Sequence, residues 1–218
     1  GVLTYQRNLV WENDLTLWSD AARKSPAKAR PYHNLGLARA RRGQWRRAVQ
    51  EYRRSLARQP LFYKSHDNLG LALAELGQYP EAAAAFAEAI RLRPEYLSAH
   101  NNLARLFLER GEPRRAEEVL GRALEIRPDD RLTNFNYALL KKRTGDPSAA
   151  KNIYRRILER HPRSWRARHN LALLLLEEGK PAAAEGELDR AIALNPGSSL
   201  SFYARGNARA ARGDYAAA

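Results

Sequence analysis

Five asparagines recur at one fixed spacing along this chain of 218 residues. The series consists of Asn34, Asn68, Asn102, Asn136 and Asn170. A carboxamide offers one acceptor and two donors, which match the C=O and N–H groups of an extended peptide main chain. The series predicts a ladder that could hold a peptide with little regard to its side chains. A second interpretation stays open, in which the amides make hydrogen bonds within the fold itself.

No other residue pattern indicates catalysis or metal binding. Cysteine is absent, which excludes disulfides, thiolate metal ligands and a cysteine nucleophile. Neither a Gly-rich phosphate loop nor a nucleophile elbow is present. None of the five histidines has another at helical spacing, since they stand at His33, His66, His100, His161 and His169. The sequence therefore predicts a chain that is not an enzyme and binds neither a cofactor nor a metal ion.

The asparagines share their period with four further series, and no insertion interrupts any of them. The same constant step separates the members of each series: Pro26 to Pro196, Gly43 to Gly213, the small residues from Gly36 to Gly206, and Ala48 to Ala218. Such agreement is typical of a repeat protein, in which each unit buries its apolar face against its neighbours.

The residues between these markers predict two short helices in each unit. Apolar side chains recur at helical spacing after the glycine, as in Ala82, Phe86 and Ala89. They do so before the next glycine as well. The glycine ends the first helix in a left-handed conformation, and the proline ends the second. We expect first helices near residues 31–42, 65–76, 99–110, 133–144 and 167–178.

This pattern resembles the tetratricopeptide repeat (TPR) family, whose repeat length equals the step of these series. The aromatic residue of the second helix also matches at Tyr52, Phe86 and Tyr154, with Leu120 and Leu188 in its place elsewhere. The resemblance implies an all-α fold, a right-handed superhelix or α-solenoid of antiparallel helix pairs. The expected units are a partial repeat over 1–28 with a helix at 12–25, full repeats over 29–62, 63–96, 97–130, 131–164 and 165–198, and a truncated repeat over 199–218.

The same resemblance implies that the first helices line a concave groove and that the asparagines face it. The groove lining is then expected to include His33, Asp67, Asn101, Arg105 and His169. This neutral and mixed-charge lining predicts a scaffold for peptide or protein segments. TPR clamps for acidic chaperone tails need a Lys before the first Asn and a second Asn three residues after it. His33 and Leu37 occupy those positions, which predicts against such a tail.

The N-terminal residues carry a second resemblance, to bacterial membrane proteins in which a glycosyltransferase-like transmembrane part precedes TPRs. They include Tyr5–Asn8, Trp11, Leu17–Trp18, Lys24–Pro26, Ala29–Pro31 and Asn34–Gly36. This resemblance implies a membrane-tethered, extracytoplasmic location, with a cytoplasmic one as the alternative. It also implies a second function, as the substrate-recognition region of a larger transmembrane O-mannosyltransferase-like enzyme. A structural interpretation is that Trp11 and Trp18 pack on the first full repeat. The chain stops within a unit at Ala218, which predicts a fragment of a longer protein and self-association through that end.

Positive charge is concentrated in two repeats. The chain has a formal net charge of +14. Residues 29–62 contribute nine Arg and one Glu, and residues 131–164 contribute nine Lys or Arg and two acids. Many of these cations fall on second helices, on the side away from the expected groove. The neighbouring aromatics occupy core positions and cannot stack on bases, which disfavours nucleic acid as a partner. A solvated face and contact with anionic lipid remain as interpretations.

Overall fold

The computed structural model describes residues 14–213, and every regular element in that range is an α-helix. Even-numbered helices are the first helices of the repeats and odd-numbered helices are the second ones. The bounds are α1 Asp14–Lys24, α2 Ala29–Ala40, α3 Trp45–Arg58, α4 Tyr63–Glu75, α5 Tyr79–Leu92, α6 Leu97–Glu109, α7 Pro113–Ile126, α8 Arg131–Arg143, α9 Pro147–Arg160, α10 Trp165–Glu177, α11 Pro181–Leu194 and α12 Ser199–Ala211. The predicted all-α repeat fold is confirmed.

The first helices begin two residues earlier than the sequence predicted, and they end one or two residues earlier. The turn at Gly77 shows why they end early. Gly77 has φ +75°, and its N–H donates to the carbonyl oxygen of Ala74 at 2.9 Å. The N–H of Gln78 then donates to the carbonyl oxygen of Leu73 at 2.9 Å. This left-handed C-terminal motif needs a residue between the last helical turn and the glycine, so the helix stops short of the glycine.

The chain divides into two compact units, Gly1–Val119 and Leu120–Ala218. Within the described part of the first unit, α2 packs on α3 and α4 packs on both α3 and α5. Successive first helices also touch, α2 with α4 and α4 with α6. The first helices of this unit therefore form one continuous surface.

Helix α1 covers the outer side of α2 in the first unit. Trp18 and Leu15 pack against a buried cluster of Ala22, Tyr32 and Leu35. The predicted packing of Trp18 on the first full repeat is confirmed. Trp11 and the rest of the N-terminal sequence lie outside the described residues.

The second unit repeats the same construction. Helix α10 packs on α9 and α11, and it also touches the next first helix, α12. The core is built around Tyr154, Leu171 and Leu188, with alanines at the helix crossings. Ala150 and Ala184 are completely buried, as are Ala48 and Ala82 at the same repeat position in the first unit. These small side chains allow the two helices of a repeat to approach closely.

Candidate peptide-binding site

Three of the recurring asparagines lie on the continuous first-helix surface of the first unit. Asn34 belongs to α2, Asn68 to α4 and Asn102 to α6, and all three are half-buried. Because each occupies the same position of its helix and these helices are neighbours, their side chains lie on one side of the unit. The structure thus brings together three of the predicted site residues in one unit.

Asn34 and Asn68 present amides that the fold itself does not use. Neither side chain makes a hydrogen bond to residues 14–213, and neither amide is cut off from solvent. A carboxamide that stays hydrated has its donors and its acceptor available for a ligand. Hydrogen bonding within residues 14–213 therefore does not account for the side chains of Asn34 and Asn68.

Asn102 is held by a buried carboxylate of the preceding repeat. Its Nδ2 donates to Oδ1 of Asp67 at 2.8 Å, and the hydroxyl of Tyr96 donates to Oδ2 at 3.1 Å. Burial raises the pKa of Asp67, and the two donors partly oppose that shift. Burial and the neighbouring Asp67 also raise the pKa of Tyr96 to about 12. Asp67 is therefore a positioning group that fixes Asn102 and is almost inaccessible to a ligand, since it is only 3% exposed.

His33 does not line the surface, which corrects the prediction for this residue. It is buried, with Nδ1 2.9 Å from Oγ of Ser65 on the next repeat. Its ring centroid lies 4.8 Å from that of Phe62. Burial lowers the pKa of His33 to about 4, so the imidazole is neutral at pH 7. His33 is a core residue that joins two repeats.

Asn101 is also placed in the core and not in the lining. Its side chain is buried, and its Nδ2 donates to the carbonyl oxygen of Leu97 in the same helix at 2.9 Å. A buried carboxamide needs such a partner, and the nearest carbonyl of its own helix supplies one. Asn101 occupies the repeat position of His33 and Asp67, and all three side chains are buried.

Arg105 is exposed and lies beside Asn102. Its Nη1 lies 3.4 Å from Oε1 of Glu109, one helical turn further along α6. Arg105 and Asn102 border a depression of about 280 Å³, whose lining also includes Glu75 and Leu106. The accessible lining of this depression, next to Asn102, is mainly polar.

The asparagines of the second unit are more constrained. Asn170 donates from Nδ2 to the carbonyl oxygen of Arg166 in its own helix at 2.8 Å. Asn136 is half-buried on α8 and has an interaction partner of its own. His169 is half-buried, with Nδ1 3.1 Å from Oγ of Ser201, and burial lowers its pKa. His169 therefore repeats the packing of His33 and is not free to contact a ligand through Nδ1.

Aromatic residues that precede the first helices were missed by the sequence analysis. Tyr96 holds Asp67, and its ring meets that of Tyr63 edge-on at 4.8 Å between centroids. Phe62, at the position of Tyr96 in the preceding repeat, packs its ring against that of His33. An aromatic at this repeat position in consecutive units was the available signal.

Two other classes of site are absent from the described range. Across residues 14–213, no group of three or more His, Asp or Glu side chains is arranged to hold a metal ion. In the same range, no helix combines the length and apolarity needed to cross a bilayer.

Comparison with known proteins identifies the fold family. One TPR family model matches residues 33–96, 135–199 and 169–218, and a second matches residues 73–134. A search of the curated proteins finds no match to the chain.

Several solved structures share the fold. YrrB, described as a TPR protein with an unusual peptide-binding site, is 21% identical with a TM-score of 0.61, over 86% of this chain and 97% of that one. A TPR protein from Parabacteroides merdae is 21% identical with a TM-score of 0.74, over 92% of this chain and 79% of that one. A chain of the APC/C hetero-tetramer Cut9–Hcn1 is 18% identical with a TM-score of 0.75, over 93% of this chain but only 40% of that one. On the family matches, supported by its regularly repeated helix pairs, this chain belongs to the tetratricopeptide repeat family.

Proposed function

We propose that this chain is a non-catalytic scaffold that binds an extended peptide or protein segment on the first-helix surface of its first unit. Asn34 and Asn68 are the principal contacts, and Asn102 is a third. The observation that carries the proposal is the pair of solvent-accessible carboxamides on neighbouring first helices, which form no hydrogen bond to residues 14–213.

The chemistry of the surface favours recognition of main chain. Neutral amides pair with peptide groups at low desolvation cost, whereas a charged clamp would select an acidic tail. Each such hydrogen bond contributes about 0.5–1.5 kcal/mol net. Two or three amides therefore supply orientation and modest affinity, and the bound segment's side chains supply the rest. YrrB shows that the same fold occurs with a peptide-binding site, although at this identity the likeness extends to the fold alone.

The sequence predicted five asparagine contacts, and this proposal keeps Asn34, Asn68 and Asn102 as the main ones. Asn170 uses its amide on its own helix, so its contribution to a ligand is expected to be smaller. His33, Asp67 and Asn101 are left out as ligand contacts because all three are buried. Arg105 and the depression beside Asn102 are retained as the place where one ligand side chain would sit.

The test compares two matched sets of substitutions. A peptide array identifies extended sequences that bind the chain, and fluorescence polarisation then measures their affinity for Asn34→Ala/Asn68→Ala and for Asn170→Ala. We expect the double variant to lose about 5- to 100-fold, because two hydrogen bonds are removed, while the single variant stays within about threefold. Raising the salt concentration should weaken binding only modestly, since the contacts are neutral. Equal affinity of the double variant and the parent protein would refute the proposal.

A second candidate function rests on the N-terminal resemblance. The sequence from Tyr5 to Gly36 favours a role as the substrate-recognition region of a membrane glycosyltransferase-like enzyme, with the repeats outside the cytoplasm. The experiment is to sequence the gene upstream of the codon for Gly1. An open reading frame with many hydrophobic spans would support this candidate, and a soluble domain or a start codon there would contradict it.

A further inference from the structure

Helix α3 carries an exposed basic face on the first unit. Its members are Arg46, Arg47, Arg53, Arg54 and Arg58, and all five side chains are exposed. At about 100° per residue these positions fall within a sector of roughly 140°. The opposite side of the helix is buried through Val49 and Tyr52, so the orientation of the basic face is fixed by the core.

Two of the five cations are engaged by neighbouring side chains, and three are not. Arg54 lies 3.2 Å from the buried carboxylate of Glu51, and the guanidinium of Arg58 stacks over the ring of Tyr32 at 4.0 Å. Arg46, Arg47 and Arg53 form no ion pair with residues 14–213.

The start of α3 intensifies the positive potential. Arg46 and Arg47 lie in the first turn, which contains no acidic residue, and Gln44 provides no side-chain cap. Because a helix carries partial positive charge at its N-terminus, cations there are unfavourable unless an anion approaches. The basic face is thus suited to a partner with many negative charges.

Apolar side chains stand at both ends of the same helix. Trp45 is half-buried and borders an open depression of about 500 Å³ together with Leu76. Leu61, just beyond the other end, is 68% exposed. The helix between them is about 21 Å long. On the helix Trp45 falls between Val49 and Tyr52, on the core side, so the exposed Leu61 is the apolar side chain offered beside the arginines. Arginines next to an exposed leucine suit the boundary between lipid headgroups and acyl chains.

These features favour a lipid surface over nucleic acid. Binding of single strands needs aromatic rings on which bases stack. On α3, Tyr52 is only 1% exposed, and the half-buried Trp45 lies on the core side of the helix, away from the arginines. Duplex DNA offers phosphates to the arginines but nothing apolar for an exposed leucine. A bilayer surface offers phosphates in any register and an apolar layer just below them.

We propose that the basic face of α3 binds the surface of a bilayer that contains anionic phospholipid. The helix lies along the headgroups, with the arginines on phosphates and with Leu61 at the edge of the acyl region. This contact is peripheral and electrostatic. It uses a different side of the first unit from the asparagines, so it is independent of the proposed peptide binding.

The experiment uses the whole chain and two types of vesicle. Sedimentation with phosphatidylcholine vesicles is compared with sedimentation with vesicles of phosphatidylcholine and phosphatidylglycerol. The test variant is Arg46→Gln/Arg47→Gln/Arg53→Gln. The control variant, Arg155→Gln/Arg156→Gln/Arg163→Gln, changes three exposed arginines of the second unit and alters the net charge equally. Circular dichroism verifies that both variants keep their helices.

We expect binding only to the anionic vesicles, with release at about 0.5 M salt, where screening is strong. Each arginine on such a surface raises the affinity for anionic vesicles about fivefold. The test variant should therefore lose about 100-fold in affinity, and the control variant should lose much less. Leu61→Ser should weaken vesicle binding several-fold without changing affinity for duplex DNA.

Three outcomes would overturn the proposal. The parent protein could fail to bind anionic vesicles. The two triple variants could lose affinity for anionic vesicles equally, which would show that only the net charge of the protein matters. Duplex DNA could bind the parent protein more tightly than the vesicles do and lose that affinity in the test variant, which would make nucleic acid the partner.

Discussion

An ideal Cβ atom placed on Gly70 would lie 2.6 Å from Cε1 of Phe86. Gly36 and Tyr52 have the same relationship in the preceding repeat, at 2.7 Å. In these two repeats the aromatic ring of the second helix therefore occupies the space that a side chain on the first helix would need. In the second unit, where Leu188 replaces the aromatic, the small position holds Ala172, and both residues are fully buried.

We predict that Gly70→Ala and Phe86→Leu are coupled. Gly70→Ala alone overpacks the crossing at a cost of about 1–3 kcal/mol, offset in part by helix propensity of up to about 1 kcal/mol. In the double variant the smaller leucine makes room for the methyl group. A double-mutant cycle from urea denaturation should give a favourable interaction energy of at least about 1 kcal/mol. Additive losses would show that the two side chains do not compete for space.

Removing the hydroxyl group of Tyr154 should not lower the stability of the protein. The side chain is fully buried and its oxygen has no hydrogen-bond partner within the described residues. Burying an unpaired hydroxyl costs about 1–3 kcal/mol. We expect Tyr154→Phe to leave the free energy of unfolding unchanged or raise it by up to that amount. A clear destabilisation in chemical denaturation would indicate that the hydroxyl has a partner, such as a buried water molecule.

The stability of the first unit should depend on the neutral form of His33. In the unfolded chain the imidazole titrates near 6.5, and in the fold its pKa is lowered to about 4. Between these values the unfolded state binds a proton that the folded state does not. The contribution of neutral His33 to the free energy of unfolding is therefore present above pH 6.5 and is lost as the pH falls toward 4. At pH 5 the loss is about 2 kcal/mol.

The measurement for His33 is urea denaturation at pH 7.5 and pH 5 of the parent protein and of His33→Gln. The glutamine can still bond to Ser65 but does not titrate. The parent protein should lose about 2 kcal/mol more than the variant between the two pH values. The same pH dependence in both proteins would contradict a buried, neutral His33.

Tyr96→Phe should destabilise the protein in a pH-dependent way. The hydroxyl donates to the buried carboxylate of Asp67, and a hydrogen bond to a charged group contributes about 1.5–3 kcal/mol. The loss should be largest at pH 7 and should shrink as acid protonates Asp67, whose pKa is already raised. Tyr63→Phe is the control, because the Tyr63 hydroxyl contacts only the exposed Arg93 among the described residues. Equal losses in the two variants would argue against a special role for Asp67.

The sequence predicted the helix pairs well because their signals are local. Glycine after the first helix and proline after the second act on their own segments, and the constant step repeats them along the chain. The burial and the hydrogen-bond partners of individual side chains were harder to predict, because their surroundings come from the next repeat. The burial of His33 depends on Ser65, and that of Asp67 depends on Tyr96 and Asn102. The glycine pattern cannot reveal such partners, although the pairs His33–Ser65 and His169–Ser201 share one spacing.

The hydrogen bond between His33 and Ser65 couples the opening of α2 to that of α4 in the first unit. Ser65 is fully buried, and its hydroxyl also lies 3.0 Å from that of Ser55 on α3. Peeling α2 away would leave the buried Ser65 hydroxyl without its imidazole partner. Fraying of the first full repeat is thus coupled to the start of the second. In amide hydrogen exchange, α2 and the first turns of α4 should share one opening free energy and exchange as a single cooperative block.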